Sequence, residues 1–240
     1  MMAPLVHVTA AILAGGLGSR LRPAVADRPK VLAGVRGRPF LAYLLDQLAT
    51  AGISQVVLCT GYLGEQVQAA FGRTYHGLDL VYSQEATPLG TAGALRLALP
   101  LLQSDPILVM NGDSLCDMDL KAFWAWHSAK RAGASLVLAR VCDAGRYGQI
   151  CVDGDGAVML FEEKGGQRGT GWINAGIYLF SRASLDTIPS GRAVSLERDL
   201  FPRWIGRGLC GYQSEGRFLD IGTPEAYAIA GQFLARDPQA

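Results

Sequence analysis

The sequence carries almost no net charge: 22 Lys and Arg stand against 21 Asp and Glu, leaving +1 at neutral pH. A chain without a broad basic field has little to hold a polyanion, which speaks against nucleic acid as its main partner. Histidine is scarce as well. His7, His76 and His127 lie far apart with no carboxylate at ligand spacing, so no histidine-built metal cluster is expected. Cysteine occurs at positions 59, 116, 142, 151 and 210, never as CxxC. That scatter predicts free thiols in a reducing compartment, neither a disulfide frame nor a zinc site, and no basic signature beside any of them marks a nucleophile. No run approaches the roughly 18 apolar residues of a membrane span. The first 19 residues are uncharged but lack the basic start of a signal peptide, and their apolar run stops at Gly15-Gly16, so they read as a buried first strand. A cytoplasmic protein that engages no membrane is the expectation.

Apolar bulk and glycine are abundant. Of 240 residues, 50% are hydrophobic and 30 are glycine, enough to bury a sizeable core and to exclude disorder, collagen and coiled coil. At ~100 to 200 residues per domain the length admits one large domain or two small ones; with no linker, repeat or low-complexity tract it is taken as one, 1–240.

Residues 7–13 (HVTAAIL) predict a strand buried on both faces. Leu41, Leu44, Leu45 and Leu48 recur at helical spacing after Pro39, with Gly52 placed to cap the end. Strands over 55–60, 80–83 and 107–110 then alternate with helices over 65–71 and 91–99. Such alternation dictates an α/β fold with a parallel sheet, whose ligands bind beyond the carboxyl ends of the strands. Three distant loops, 15–20, 84–90 and 111–113, would converge there. In the second half, runs 149–152 and 158–162 flank Asp153-Gly154-Asp155-Gly156, a hairpin pattern. A strand over 177–180, a helix over 196–205, a strand near Tyr212 and a helix after Pro224 complete a Rossmann-like mixed sheet, mostly parallel, with helices on both faces. Trp124 and Trp126 are expected to pack, and His127, on a helix, reads as a plain surface or core residue.

The segment LAGGLGSRLRPAVADRPK, 13–30, carries the chemistry. Gly15, Gly16 and Gly18 free the backbone to turn tightly and offer N–H groups to an anion, while Arg20, Arg22 and Lys30 add positive charge, together a polyphosphate cradle. A dinucleotide-binding loop would need glycine where Leu21 stands, and a Walker loop would need Gly-Lys-Ser/Thr, so both are excluded. A bare glycine cluster could equally make only a tight turn; the arginines and lysine weigh for the cradle.

This GGxG(S/T)RLxP…PK signature resembles that of the sugar-1-phosphate nucleotidyltransferases, and the likeness runs over nearly the whole chain. It implies the nucleotide-diphospho-sugar transferase fold, GT-A-like, with about 1–115 holding the nucleotide and about 116–240 the sugar phosphate. It also implies a nucleotide site of Leu13, Ala14, Gly15, Gly16, Gly18, Ser19 and Gly112, with Gln84, Pro88, Gly90 and Thr91 at the base. Gln84 offers an amide donor and acceptor for a base edge and Gly90 a close backbone approach, although Thr91 alone could belong to a helix cap. Asp113 of Asn111-Gly112-Asp113 and Asp220 of the FLDIGTP segment are implied ligands of Mg2+, or of Mn2+ in its place; two carboxylates, phosphate oxygens and water suffice for such an ion. Alone, they would read as a turn residue and a strand-end cap. Tyr147, Gly148, Glu163, Lys164, Asn174 and Gly176 are the implied sugar-phosphate residues, Lys164 as a point charge, Glu163 and Asn174 toward hydroxyls. An EEK run by itself is usually a solvated face. One departure is Val31, where the family commonly has a second proline after the lysine equivalent to Lys30.

The expected reaction is in-line attack by a sugar 1-phosphate on the α-phosphorus of a nucleoside triphosphate, with Arg20 on the leaving pyrophosphate, Lys30 on the reacting phosphates, Asp113 and Asp220 on Mg2+ and Lys164 on the sugar phosphate. A phosphate whose second pKa is about 6 is largely ionised at neutral pH and needs no general base. The segments AVADRPK, VRGRPFLAYLLDQL, GYLG and PLGTAGAL resemble those of bacterial D-glycero-D-manno-heptose 1-phosphate guanylyltransferases, which implies GTP and that heptose phosphate as substrates and GDP-heptose for capsule, lipopolysaccharide or surface-layer glycans. Guanine and uracil can both bond to Gln84 and loop backbone, so uridylyl or thymidylyl transfer to a hexose or N-acetylmuramate 1-phosphate stays open. So do a non-catalytic nucleotide-sugar-sensing subunit and a homo-oligomer.

Overall fold

Short apolar runs that stop at glycine or polar turns become the strands of one eight-stranded sheet, and amphipathic runs between them become helices. In a computed structural model of the chain, residues 5–21, 23–161 and 169–235 are described. Arg22, Glu163 and Lys164 therefore lie outside the described residues, as does Glu162, the expected end of a hairpin strand.

The first half runs β1 (Thr9–Leu13), the two-residue strands β2 (Gly34–Val35) and β3 (Arg38–Pro39), α1 (Phe40–Ala51), β4 (Gln55–Thr60), α2 (Gly64–Phe71), β5 (Thr74–Tyr75), β6 (Leu78–Gln84), α3 (Gly90–Ala98) and β7 (Ile107–Asn111). The second half runs β8 (Ser114–Cys116), α4 (Leu120–Lys130), β9 (Ala134–Val141), β10 (Ile150–Val152), β11 (Val158–Phe161), β12 (Gly171–Phe180), α5 (Arg182–Asp186), α6 (Phe201–Trp204), β13 (Leu209–Ser214), β14 (Phe218–Asp220) and α7 (Pro224–Ala235).

The sheet order is β13-β9-β12-β7-β1-β4-β6-β5. Strand β1 lies parallel between β4 and β7, whereas β12 runs antiparallel to both of its neighbours, β7 and β9. The mixed, mostly parallel sheet is thus as expected. Burial on both faces follows from the strand period: Ala10 and Ile12 join the apolar cluster that includes Leu41, Leu44, Leu45 and Leu48 of α1, and Ala11 joins the one that includes Ala92, Leu95 and Ala98 of α3. Gly52 caps α1 with φ +87, a left-handed value that glycine adopts without strain.

Three elements differ from expectation. Strand β9, an apolar run that the sequence pattern did not single out, lies one place in from the sheet edge and pairs with β12 and β13. Strand β12 starts at Gly171 and not at 177, because 171–174 pair with β9 on the far side of a bulge. The expected helix over 196–205 opens as a π-helical turn, Leu196–Leu200, and closes as α6. Strands β10 and β11 form the expected antiparallel pair, with Asp153 Oδ1 accepting the turn N–H groups of Asp155 and Ala157. His127 is buried against Ser135 Oγ at 2.7 Å, and Trp126 packs edge-on to Tyr212. All five cysteines are free, and no described helix is long and apolar enough to cross a membrane.

Candidate functional site

The parallel strands end together, and their ladders continue into the loops: Ala14 N–H donates to Cys59 O at 2.8 Å and Gly112 N–H to Leu13 O at 2.9 Å. Beyond them lies a cavity of about 390 Å³, lined by residues 13–19, Lys30, Glu85, Pro88, Gly90, Thr91, Gly112 and Asp113. Gly15 is required by packing, since a Cβ there would stand 2.9 Å from Glu85 Oε1 and 3.2 Å from Gly61 N. A Cβ on Gly112 would stand 2.7 Å from Leu13 O and 2.8 Å from Val31 Cγ1, so Val31 fills the space beside it.

Gln84 is not among the lining residues; it is exposed at the end of β6, and its neighbour Glu85 lines the cavity instead. Successive residues of a strand point to opposite faces, so this one-residue difference exchanges an amide for a carboxylate. Glu85 Oε2 accepts from Leu89 N–H at 3.0 Å. Burial pushes its carboxyl above the usual range, and that hydrogen bond pulls the other way. Gly90, at φ +71, makes room chiefly for this chain's own backbone: a Cβ there would be 2.6 Å from Val194 O. Thr91 lies within α3 and does not cap it; its hydroxyl donates to Glu197 Oε2 at 3.0 Å and accepts from Leu196 N–H at 2.8 Å.

Lys30 and Asp113 line this cavity, and the charges of both, with that of Arg20, act on Asp220. Lys30, on a single 3-10 turn, donates from Nζ to Asp113 Oδ2 at 2.5 Å, with only 12% of its side chain exposed. Strand β14 pairs antiparallel with β8, setting Asp220 opposite Ser114, and Ile221 N–H donates to Asp113 O at 2.9 Å. Asp220 Oδ1 accepts from Gly222 N–H at 2.6 Å. Burial and then the charge of Asp113 push the Asp220 carboxyl up, against the pull of Lys30, the Gly222 N–H and Arg20. Among the described residues no group of three or more His, Cys, Asp or Glu could hold a metal ion. Two adjoining carboxylates, with Asp220 raised by burial and by the charge of its neighbour, fit a hard divalent cation whose other ligands are phosphate oxygens and water.

A second cavity of about 290 Å³ adjoins the first, and Asn111 and Asp113 line both. Arg20, Tyr147, Gly148, Asn174 and Asp220 line the second, together with Ser195, Glu197 and Phe218. Asn174 Nδ2 donates to the Tyr178 hydroxyl at 2.8 Å and its Oδ1 accepts from Gly176 N–H at 2.9 Å. Gly176 lies behind the wall, at φ +76, where a Cβ would stand 2.6 Å from Ser114 Oγ. Glu85, Asn111, Ser195, Glu197 and Phe218 are among the lining residues that sequence reasoning left unassigned. Glu85 adjoined the residue chosen, whereas Glu197 sits in a run, SLERDLFP, with no local mark of a binding role.

The chain matches the family model described as nucleotidyl transferase over residues 9–237. It is 39% identical to the mannose-1-phosphate guanylyltransferase of Mycobacterium tuberculosis over 96% of its own length and 65% of that protein, so it spans just under two thirds of that relative. It is 36% identical to the D-glycero-alpha-D-manno-heptose 1-phosphate guanylyltransferase of Aneurinibacillus thermoaerophilus, covering 94% of this chain and 97% of the other. Among solved structures, HddC from Yersinia pseudotuberculosis complexed with GMP-PN superposes with a TM-score of 0.84 at 31% identity, over 95% of this chain and 99% of that one.

Proposed function

The chain belongs to the nucleotidyl transferase family, and from that premise we propose that it transfers GMP from GTP to a sugar 1-phosphate of manno configuration, releasing pyrophosphate. The observation that carries the reading is the junction of the two cavities. Asn111 and Asp113 line both, so a triphosphate in the first and a sugar phosphate in the second would meet beside Lys30, Asp220 and Arg20.

Glu85 favours guanine. Guanine presents adjacent N1–H and N2–H donors that one carboxylate can accept together, whereas uracil and thymine present a single N–H between two carbonyls that a carboxylate repels. The loop over residues 13–19 offers backbone to the phosphates, and Lys30 and Arg20 offset charge on them as pyrophosphate leaves. Asp113 and Asp220 would hold Mg2+, or Mn2+ in its place, which when bound neutralises phosphate charge. Tyr147, Gly148 and Asn174 would bound the sugar, and Glu163 and Lys164, outside the described residues, would meet its hydroxyls and phosphate. Catalysis rests on placement and charge, with no covalent enzyme intermediate.

D-glycero-α-D-manno-heptose 1-phosphate is the acceptor we assign, supported by the relative of that name that this chain matches almost end to end; GDP-heptose for surface glycans would be the product. Mannose 1-phosphate is the second reading, favoured by the 39% identical mycobacterial relative. The test is pyrophosphate release with Mg2+, crossing GTP, UTP, dTTP, CTP and ATP with heptose, mannose, glucose and N-acetylmuramate 1-phosphates. Turnover confined to GTP with the heptose supports the assignment, and preference for mannose replaces it. Preference for UTP or dTTP overturns the role of Glu85. Nucleotide binding without turnover in any pair points to a sensing subunit.

A further inference from the structure

Tyr178 is fully buried and lines neither cavity, yet its hydroxyl touches three side chains that do. It accepts from Asn174 Nδ2 at 2.8 Å and from Asn111 Nδ2 at 3.5 Å, and it donates to Glu197 Oε1 at 3.4 Å. Two amide donors and one carboxylate acceptor use the full capacity of a phenol. Glu197 in turn accepts from Ser195 Oγ at 2.9 Å and from Thr91 Oγ1 at 3.0 Å, and Thr91 lines the first cavity. A continuous chain of hydrogen bonds therefore links the two.

The backbone is built to make this contact. In a regular strand, residues four apart stand ~13 Å from each other. Between Asn174 and Tyr178 the register slips from pairing with Leu138 to pairing with Leu136, so the strand bulges and the two side chains come together. Gly176, at φ +76, supplies the turn. The ring is held as firmly as the hydroxyl: it stacks on Phe180 at 5.4 Å and tilts against Phe201 at 5.5 Å, the residue that follows the π-helical turn carrying Glu197. With its nitrogen turned to Tyr178, Asn111 keeps Oδ1 buried and without a hydrogen-bond partner among the described residues, at the boundary of the cavities. Burial raises the phenol well above its ordinary value, so the hydroxyl keeps its proton throughout the working range.

We infer that Tyr178 is a positioning residue that fixes Asn111, Asn174 and Glu197 for the sugar phosphate, a role that rests on the second cavity being the sugar-phosphate site. Tyr178→Phe keeps the ring and removes the hub. The variant should raise KM for the sugar 1-phosphate about tenfold, with kcat and KM for GTP within about twofold. Equal losses in both KM values, or none, would overturn the inference. A readout without substrate separates it from the functional reading: by NMR of the free protein, the side-chain amide protons of Asn111 and Asn174 should exchange slowly with solvent in the wild type and faster in Tyr178→Phe. Unchanged exchange sinks the positioning role whatever the substrate proves to be. Changed exchange in a protein that turns over no sugar phosphate keeps the hub and discards the substrate.

Discussion

Where the first cavity is lined by a glycine-rich loop and other segments that leave parallel strands, the second is lined by Asn111, Asn174, Ser195 and Glu197, three of them tied to one buried phenol. The difference matches the chemistry each would meet. Phosphates are alike in every nucleotide and are held by N–H groups and fixed charge, which glycine loops and a lysine supply. Sugars differ in the orientation of hydroxyls, which must be read by side chains of set rotamer. Parallel strand ends preset the first cavity. The second depends on the one long strand that runs against its neighbours, and on its bulge.

The largest effect should come where the two regions meet. Asp113→Ala and Lys30→Ala should each lower kcat by roughly a thousandfold, at the upper end of what one electrostatic stabiliser supplies, with Tm little changed and nucleotide binding by calorimetry retained. Near-normal turnover in a folded variant would mean that the cavities do not share a reaction centre. Next in size is Gly90→Ala, which drives a Cβ toward Val194 O at positive φ and should cost about 1–3 kcal/mol in urea unfolding. Gly16→Ala, with nothing within 4 Å of its Cβ position, should stay within about 0.5 kcal/mol. If the two cost alike, Gly90 is not pinned by the segment that carries Glu197.

Glu85→Gln should lower kcat/KM for GTP about tenfold while leaving KM for the sugar phosphate alone, which separates the two cavities kinetically. Its folded-state pKa is raised, so the neutral form is favoured by the fold; that contribution is present below the unfolded value and is lost as pH rises through the raised one. At neutral pH the glutamine variant should therefore melt slightly higher than the wild type. It should also lose the acid-side rise in KM for GTP that protonation of Glu85 brings. The smallest effect belongs to neither cavity. Burial lowers the pKa of His127, so stability should fall as pH drops below about 6.5, where the unfolded chain takes up the proton first. In His127→Gln that slope should flatten, with both KM values unmoved.

Much of the fold was legible because the signals were local. Strand β4 is an apolar run between polar and glycine residues, and its observed bounds, Gln55–Thr60, are those the pattern indicated. Leu41, Leu44, Leu45 and Leu48 described α1 by period alone. What escaped was non-local. Strands β8 and β14 are three residues each, too short to carry a period, and exist as a pair only because each finds the other. The bulge of β12 arises from its pairing with β9. The sequence pointed to Gln84 at the end of β6, but the side-chain parity of the folded strand brings Glu85 to the cavity.

The sequence by itself determined that a glycine-rich, basic loop would follow a buried first strand at the carboxyl edge of an α/β sheet, because backbone freedom, charge and hydrophobic period belong to neighbouring residues. Only the tertiary structure decided that Asp220 stands beside Asp113 and Lys30, that Glu85 faces the first cavity, and that Tyr178 binds Asn111, Asn174 and Glu197 into one wall. Those contacts follow from strand register, a bulge and an antiparallel pairing, and each of these depends on a partner distant in the chain.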